Sequence, residues 1–301
     1  MYDLIVIGGG PAGLSSALYA GRAGLTCVVF EKLFFGGQML KTAEIDNYPG
    51  APFIRDVFSF SEAMHNQAAE FGAEFKTEEV IKVSCENGVK TVVTDSGEYK
   101  TRTIIKAPGA FHKKLLVSGE EEFSGKGVSY CATCDGAFFK GKTATVVGGG
   151  DTALEDALFL SAICETVYIV HRRCEFRGAK SLADKVRNTE NIKLILNSTV
   201  SEIVGENTVT GVKVKDDKTE TLIKTDAVFI AVGTTPDSAV FKDFVALDKN
   251  GYIVTDKNLE TSVSGVFAAG DVRQKTLRQI ITAASDGAEA VYNVQRYILE
   301  N

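Results

Sequence analysis

Short unbroken apolar runs alternate with amphipathic stretches along this chain, and one order of them occurs twice. Residues 2–7, YDLIVI, form an apolar run that meets GGGPAG; LSSALYAGRAG then spaces its apolar residues at helical intervals, and TCVVFEK returns to a strand-like run. That is strand, glycine turn, helix, strand, and strands buried on both faces read as such continuous runs. From residue 143 the order returns as TATVV, GGGDTA, LEDALFLSAI and TVYIVHRR, with Gly148 in the place of Gly8.

The stretches that follow the two units, VIKVSCENGVKTVVTDSGEYKTRT and VSEIVGENTVTGVKVKDDKTETLIKT, put Asn-Gly, Ser-Gly and Asp-Asp turn signals between β-branched runs. Each predicts a β-meander. Each meander leads into a strand that ends in a glycine turn, TIIKAPGA at Gly109 and DAVFIAVGTTPD at Gly233. After residue 245 come a strand, GYIVT, a run, GVFAAGDV, and a final amphipathic helix, RQIITAASDGAEAVYNVQRYI. No low-complexity linker marks a boundary, so the repeat alone divides the chain. It predicts an α/β fold of two Rossmann-like (βαβ) dinucleotide-binding domains, each with a parallel sheet and a β-meander. The repeat puts the domain boundaries near residues 113 and 243.

Gly8, Gly10 and Gly13 complete GxGxxG around Pro11 and Ala12. Gly8 allows a sharp turn, Gly10 lets backbone approach a pyrophosphate, and Gly13 lets the helix pack close to the strand. The anion would meet unpaired N–H groups and the positive end of the helix dipole. Glu31, at the end of the second strand and followed by Lys32, is placed to accept hydrogen bonds from a ribose. The second unit has Gly148, Gly150 and Ala153 in the cradle positions, but its strand ends in His171, Arg172 and Arg173, with Arg177 close by. Guanidinium forks in place of a carboxylate suit a ribose 2′-phosphate, which predicts NADPH rather than NADH. The first site, with its ribose acid, fits FAD, and Gly270 and Asp271 after the run VFAA can then serve the ribityl hydroxyls. Without the upstream cradle that pair would be an ordinary turn.

Composition narrows the partners. With 301 residues, 45% of them hydrophobic, the chain can bury two ordinary cores. A net charge of -6 and a pI near 5.3 repel a phosphate backbone, so nucleic acid is not expected as the main partner. Only HRRCEFRGAK, residues 171–180, is locally basic. No apolar run approaches the length of a membrane span, and MYDLIVIGGG enters a strand with no basic leader, so the expectation is a cytoplasmic chain.

Of the six cysteines, Cys27, Cys85, Cys164 and Cys174 are scattered, and Cys27 and Cys85 read as small apolar residues within strands. Cys131 and Cys134 form a CxxC within SYCATCDGAFF. Zinc would need two more ligands at suitable spacing; His65, His112 and His171 are dispersed, and no metal is expected. A purely structural disulfide would close so short a loop that it constrains the unfolded chain little. A cycling dithiol remains. Asp135 could supply its proton, or could simply belong to the Asp-Gly turn it begins.

Taken in order, GGGPAG, GGQM, IDNYPG, GEEEFSGKGVSYCATCDG, VVGGGDTALEDALFL, HRRCEFR, VFAAGDV and RQIITAASDGAEA closely resemble the low-molecular-weight, bacterial-type thioredoxin reductases over essentially the whole chain. The resemblance implies a homodimeric FAD and NADPH flavoprotein that passes electrons through Cys131–Cys134 to thioredoxin. It implies two nested domains, an FAD domain split over 1–112 and 244–301 with an NADPH domain carrying the CxxC, 113–243, inserted between, and it implies that the NADPH domain swings about connecting strands near 113–117 and 241–246. Cys134 would be the flavin-proximal sulfur, Cys131 the one that attacks thioredoxin, and Asp135 the acid. Gly36, Gly37, Gln38 and Met39 would line the flavin with Asn47, while Asp271, Gln279 and Ile280 would hold ribityl chain and ring. Gly150, Asp151, Thr152 and Glu155 would meet NADPH, and His171, Arg172, Arg173 and Arg177 would surround its 2′-phosphate.

Three positions depart from the family pattern: Lys106 and Pro108 in KAPG, and Cys174 where HRRDxFR has an acid. Ferredoxin-dependent relatives lack both the second cradle and the basic motif, which this chain keeps. The CxxC sets it apart from flavin ferredoxin–NADP reductases. A disulfide reductase with another protein acceptor, or a nucleotide sensor without catalysis, are the competing expectations; flavin colour and its bleaching by NADPH separate enzyme from sensor.

Overall fold

The computed structural model describes every residue except 42–44, 46, 52 and 53, so Asp46 of IDNYPG lies outside the described residues. The chain divides into two compact units, Met1–Phe111 with Thr235–Asn301, and His112–Thr234.

In the first unit, strand Tyr2–Ile7 lies inside a seven-stranded sheet, parallel to Cys27–Glu31 on one side and to Glu98–Lys106 on the other. Glu74–Thr77 extends the first side in parallel. The long strand Glu98–Lys106 does two things along its free edge. Its first half pairs antiparallel with Val89–Thr94, which pairs with Val80–Glu86, and its last three residues pair in parallel with Val266–Ala268. Asn87 and Gly88 both take positive φ, 49° and 81°, the requirement of a tight hairpin turn. Both faces of the sheet are covered, which explains the unbroken apolar runs. Leu4, Val6, Val29, Ile105 and Phe267 pack beneath the helix Pro11–Arg22 and the final helix Ile280–Glu300. Ile5, Val28, Phe30, Ile104, Phe241, Val245 and Ile253 form the other core.

Two expectations are corrected. GYIVT is not a strand: Ile253 makes only isolated bridges, to Leu247 and Arg273. Its neighbours are loops rather than a sheet edge. The second crossing between units falls after Thr234, not near 243, because Phe241 and Val245 bury into the first unit's core.

The second unit carries a five-stranded parallel sheet in the order Ile192–Ile195, Thr166–Val170, Thr143–Val147, Ala227–Ile230, Val128–Ser129. Its meander, Thr199–Gly205, Val209–Lys215 and Glu220–Lys224, forms a separate antiparallel sheet. In both units the first strand of the repeat has its helix-linked partner on one side and a later strand on the other, which opens a crevice at the strand ends. Among the described residues no helix is long and apolar enough to cross a membrane.

Candidate redox and dinucleotide sites

The first glycine turn is built as its spacing predicts. Gly8 has φ +105°, and a Cβ there would overlap the Ala107 carbonyl. A Cβ on Gly13 would overlap the carbonyl oxygen of Gly8, so the helix lies against the turn. Gly10 caps the helix, Pro11 occupies its first turn, and no side chain caps the free N–H groups. At Gly10 the nearest atom to a Cβ is Gly37 Cα at 3.9 Å, which leaves open space in front of the free N–H groups, as an anion site requires. Glu31 has a task that its spacing did not show. Its Oε2 accepts the Gly9 N–H at 2.8 Å and its Oε1 accepts the Leu33 N–H at 3.1 Å, which brace the turn itself. Lys32 turns away to pair with Asp237 at 3.3 Å.

Of the other candidates in this unit, Gly36, Gly37 and Gly270 lie against that turn or the helix it opens. The Gly36 N–H donates to the Gly9 carbonyl at 2.7 Å, which ties the GGQM loop to the cradle. Gln38 follows in the turn Gly37–Lys41, whereas Met39 is buried in the core with Leu14 and Val57. Asn47 Nδ2 donates to Gln279 Oε1 at 3.1 Å, although 232 residues separate them. Gln279 caps the final helix in a reciprocal box with Thr282, and Ile280 begins it. Gly270 has φ +75°, and a Cβ on it would lie 2.9 Å from Ala12 Cβ. Among the described residues Asp271 Oδ1 is buried without a hydrogen-bond partner, and burial pushes its carboxyl up. An orphaned acceptor beside a glycine cradle fits a hydroxylated ligand.

Sequence reading missed the group that fixes this corner. Asp286, 5% exposed, accepts the Gly270 N–H at 2.9 Å and pairs with Arg273 at 2.8 Å and Lys275 at 2.7 Å. Burial pushes its carboxyl up, but the two cations outweigh that and hold it below the usual range. Gly287 follows, and a Cβ there would overlap the Ala12 carbonyl. An acid inside an otherwise apolar helix face was the available signal.

In the second unit Gly148 has φ +154° and its Cβ would overlap the Ala231 carbonyl. Gly150 caps the helix Asp151–Ser161, and no atom lies within 4 Å of its Cβ position. Asp151 Oδ1 accepts the Ala179 N–H at 2.7 Å, and Thr152 and Glu155 are exposed. The basic loop folds back onto the cradle, since the Arg177 N–H donates to the Gly149 carbonyl at 2.7 Å. Arg172, Arg173 and Arg177 are exposed, and among the described residues no ion pair occupies them. Glu175 pairs instead with Arg187, at 3.0 Å. His171 stands apart from the arginines: it is buried under Gly149, stacks on Phe176 and meets the Glu175 carbonyl at 3.2 Å. Burial first, and the three arginines as well, lower its affinity for a proton. Gly109 and Gly233 both take positive φ at their strand ends.

Cys131 and Cys134 are joined as a disulfide with Cα atoms 5.3 Å apart. Cys131 caps the single helical turn Ala132–Asp135, and its carbonyl accepts the N–H groups of Cys134 and Asp135. Gly136 is packed against Leu160 and Phe159 of the cradle helix, which sets the turn on that helix. Two supports were not foreseen. Ser129, 6% exposed at the end of strand Val128–Ser129, donates its hydroxyl proton to Asp135 Oδ2 at 2.6 Å and accepts the Cys131 N–H at 3.1 Å. Glu120, 1% exposed, accepts the Leu115 and Leu116 N–H groups and the Tyr130 hydroxyl. Of the remaining cysteines, Cys27 and Cys164 are buried, but Cys85 is exposed, so it does not serve as a core residue. Among the described residues no group of His, Cys, Asp and Glu could hold a metal.

The departures are also placed. Lys106 is fully buried; its Nζ has no hydrogen-bond partner and lies 3.9 Å and 4.5 Å from the ring centres of Phe241 and Phe244. Pro108 lies against Gly8. Cys174 is exposed beside the arginines.

Residues 2–287 match the family model for pyridine nucleotide-disulphide oxidoreductases. The chain is 47% identical over 303 residues to the thioredoxin reductase of Listeria monocytogenes, covering all of this chain and 95% of that one. It is 44% identical to the thioredoxin reductase of Bacillus subtilis, at 100% and 96% coverage. The crystal structure of thioredoxin reductase from Streptococcus pyogenes superposes with a TM-score of 0.95 at 40% identity, covering 100% of this chain and 99% of that one.

Proposed function

The chain belongs to the pyridine nucleotide-disulphide oxidoreductase family, and from that premise we propose that it is an NADPH-dependent, FAD-containing thioredoxin reductase. The observation that carries the reading is the Cys131–Cys134 disulfide set on the helix of one glycine cradle, in a chain whose other unit builds a second cradle of the same design. When bound, a flavin can take a hydride from a reduced pyridine nucleotide and deliver two electrons to a disulfide. Gly8, Gly10 and Gly13 would hold the FAD pyrophosphate, and Asp271, with its orphaned oxygen, would take the ribityl hydroxyls. Asn47 and Gln279 would frame the ring. NADPH would lie on Gly150 and the helix it caps, with Arg172, Arg173 and Arg177 on the 2′-phosphate and His171 propping the loop from below.

The chain's own sulfurs then carry out an exchange that balances without further reagents. Cys131, as thiolate, attacks the oxidised partner and expels one partner thiolate. Cys134 attacks Cys131, closes the ring and expels the second. The two protons lost by the cysteines end on the partner's thiols, and Asp135 would pass them. A homodimer in the cytoplasm is part of the same reading.

The test is direct. The purified protein should be yellow and should bleach with NADPH under anaerobic conditions. Cys134→Ser should retain flavin yet lose thioredoxin reduction. Full turnover by that variant would overturn the assignment.

A further inference from the structure

We propose that Ser129 is a positioning residue for the exchange chemistry: it holds the Asp135 carboxylate and the Cys131 backbone in one hydrogen-bonded chain. The proposal rests on the reading above for its meaning, and on the geometry around Asp135 for its support. A hydroxyl has one proton to donate. At Ser129 two acceptors compete for it, Asp135 Oδ2 at 2.6 Å and the Cys131 carbonyl at 3.4 Å, and the shorter, charged one takes it. The lone pair left on the hydroxyl oxygen accepts the Cys131 N–H at 3.1 Å. One buried side chain therefore links the nucleophile's backbone to the acid's carboxylate.

The placement of Ser129 gives that link its stiffness. Ser129 pairs in register with Phe229 at the edge of the parallel sheet, whereas Cys131 and Asp135 sit on a turn of four residues that has little rigidity of its own. A hydrogen bond to the ionised form also favours that form. Removing the Ser129 hydroxyl is therefore expected to disfavour the ionised form of Asp135. The Asp-Gly sequence alone left turn and acid as alternatives; a carboxylate that is bonded to a sheet residue rather than used to cap its own turn speaks for the acid.

Three forms of the full-length, flavin-loaded chain test this: the parent, Ser129→Ala and Ser129→Thr. NADPH-driven bleaching should be equal in all three, since Ser129 touches neither cradle. Thioredoxin turnover should fall roughly tenfold in Ser129→Ala, with the acidic limb of its pH profile moved to higher pH, and Ser129→Thr should restore both. A second readout is independent of thioredoxin. In the chain reduced with dithiothreitol, carbon-13 NMR of aspartate carboxyls, assigned with Asp135→Asn, should show Asp135 titrating at higher pH in Ser129→Ala than in the parent. Equal titration in the two proteins would overturn the proposal, as would a turnover loss with an unmoved pH profile. If the parent itself fails to reduce thioredoxin, the functional reading fails, while the titration still decides the role of Ser129.

Discussion

Lys106 places an amine at the buried end of its strand, directly after the aliphatic Ile104 and Ile105. Burial lowers its pKa from 10.5 to about 6, while the faces of Phe241 and Phe244 favour the charged form. The folded chain therefore binds this proton less tightly than the unfolded chain does. Between about pH 6 and 10.5 the unfolded state holds more protons, so stability rises with pH across that window. One group contributes a slope of at most about 1.4 kcal/mol per pH unit. Lys106→Met should raise the urea midpoint at neutral pH and flatten this slope; an unchanged slope would show that the ring faces keep the amine charged. The arginines of the basic loop make the opposite case, for they are exposed and, among the described residues, free of ion pairs. Arg172→Ala with Arg173→Ala should lower the NADPH-to-NADH ratio of kcat/KM by roughly tenfold or more, measured by flavin bleaching. The sequence made those arginines legible because their place at a strand end carries the meaning. It did not make Lys106, Asp286 or Ser129 legible, because the role of each comes from residues that only folding brings beside it.

At the scale of elements, glycines decide how closely the helices approach. Gly13 presses the first helix onto its turn, and Gly287 lets the last helix lie on the Ala12 carbonyl. An alanine at position 287 would gain about 1 kcal/mol of helix propensity, but overpacking typically costs roughly 1–3 kcal/mol. Gly287→Ala is therefore expected to lower the melting temperature and the flavin content together; a more stable, fully yellow variant would contradict the packing argument. The continuous strands, both glycine turns and both meanders could be read directly, since period and turn chemistry are local. GYIVT could not. Its residues suit a strand, but Ile253 finds only single bridging partners in loops. Periodicity also could not show that one meander continues the parallel sheet while the other stands alone. That difference depends on the length of Glu98–Lys106 and on which edge receives Val266–Ala268.

Over the whole molecule, the chain passes from the first unit to the second between Phe111 and His112 and returns after Thr234. The second crossing came earlier than expected because burial of Phe241 and Val245, rather than any sequence boundary, assigns residues 235–243. The tail returns to the first cradle through Gly270 and Asp286, which is why a site 270 residues from the N-terminus belongs with Gly8. The disulfide and the second cradle are features of one unit, held on the same helix. The functional account joins these parts into one electron path. It is tested most directly by anaerobic titration of the yellow, purified chain with NADPH, followed by oxidised thioredoxin. The account predicts that NADPH bleaches the flavin and opens Cys131–Cys134 to two alkylatable thiols, and that thioredoxin then restores both the colour and the disulfide. A chain that bleaches while Cys131 and Cys134 stay joined would contradict it.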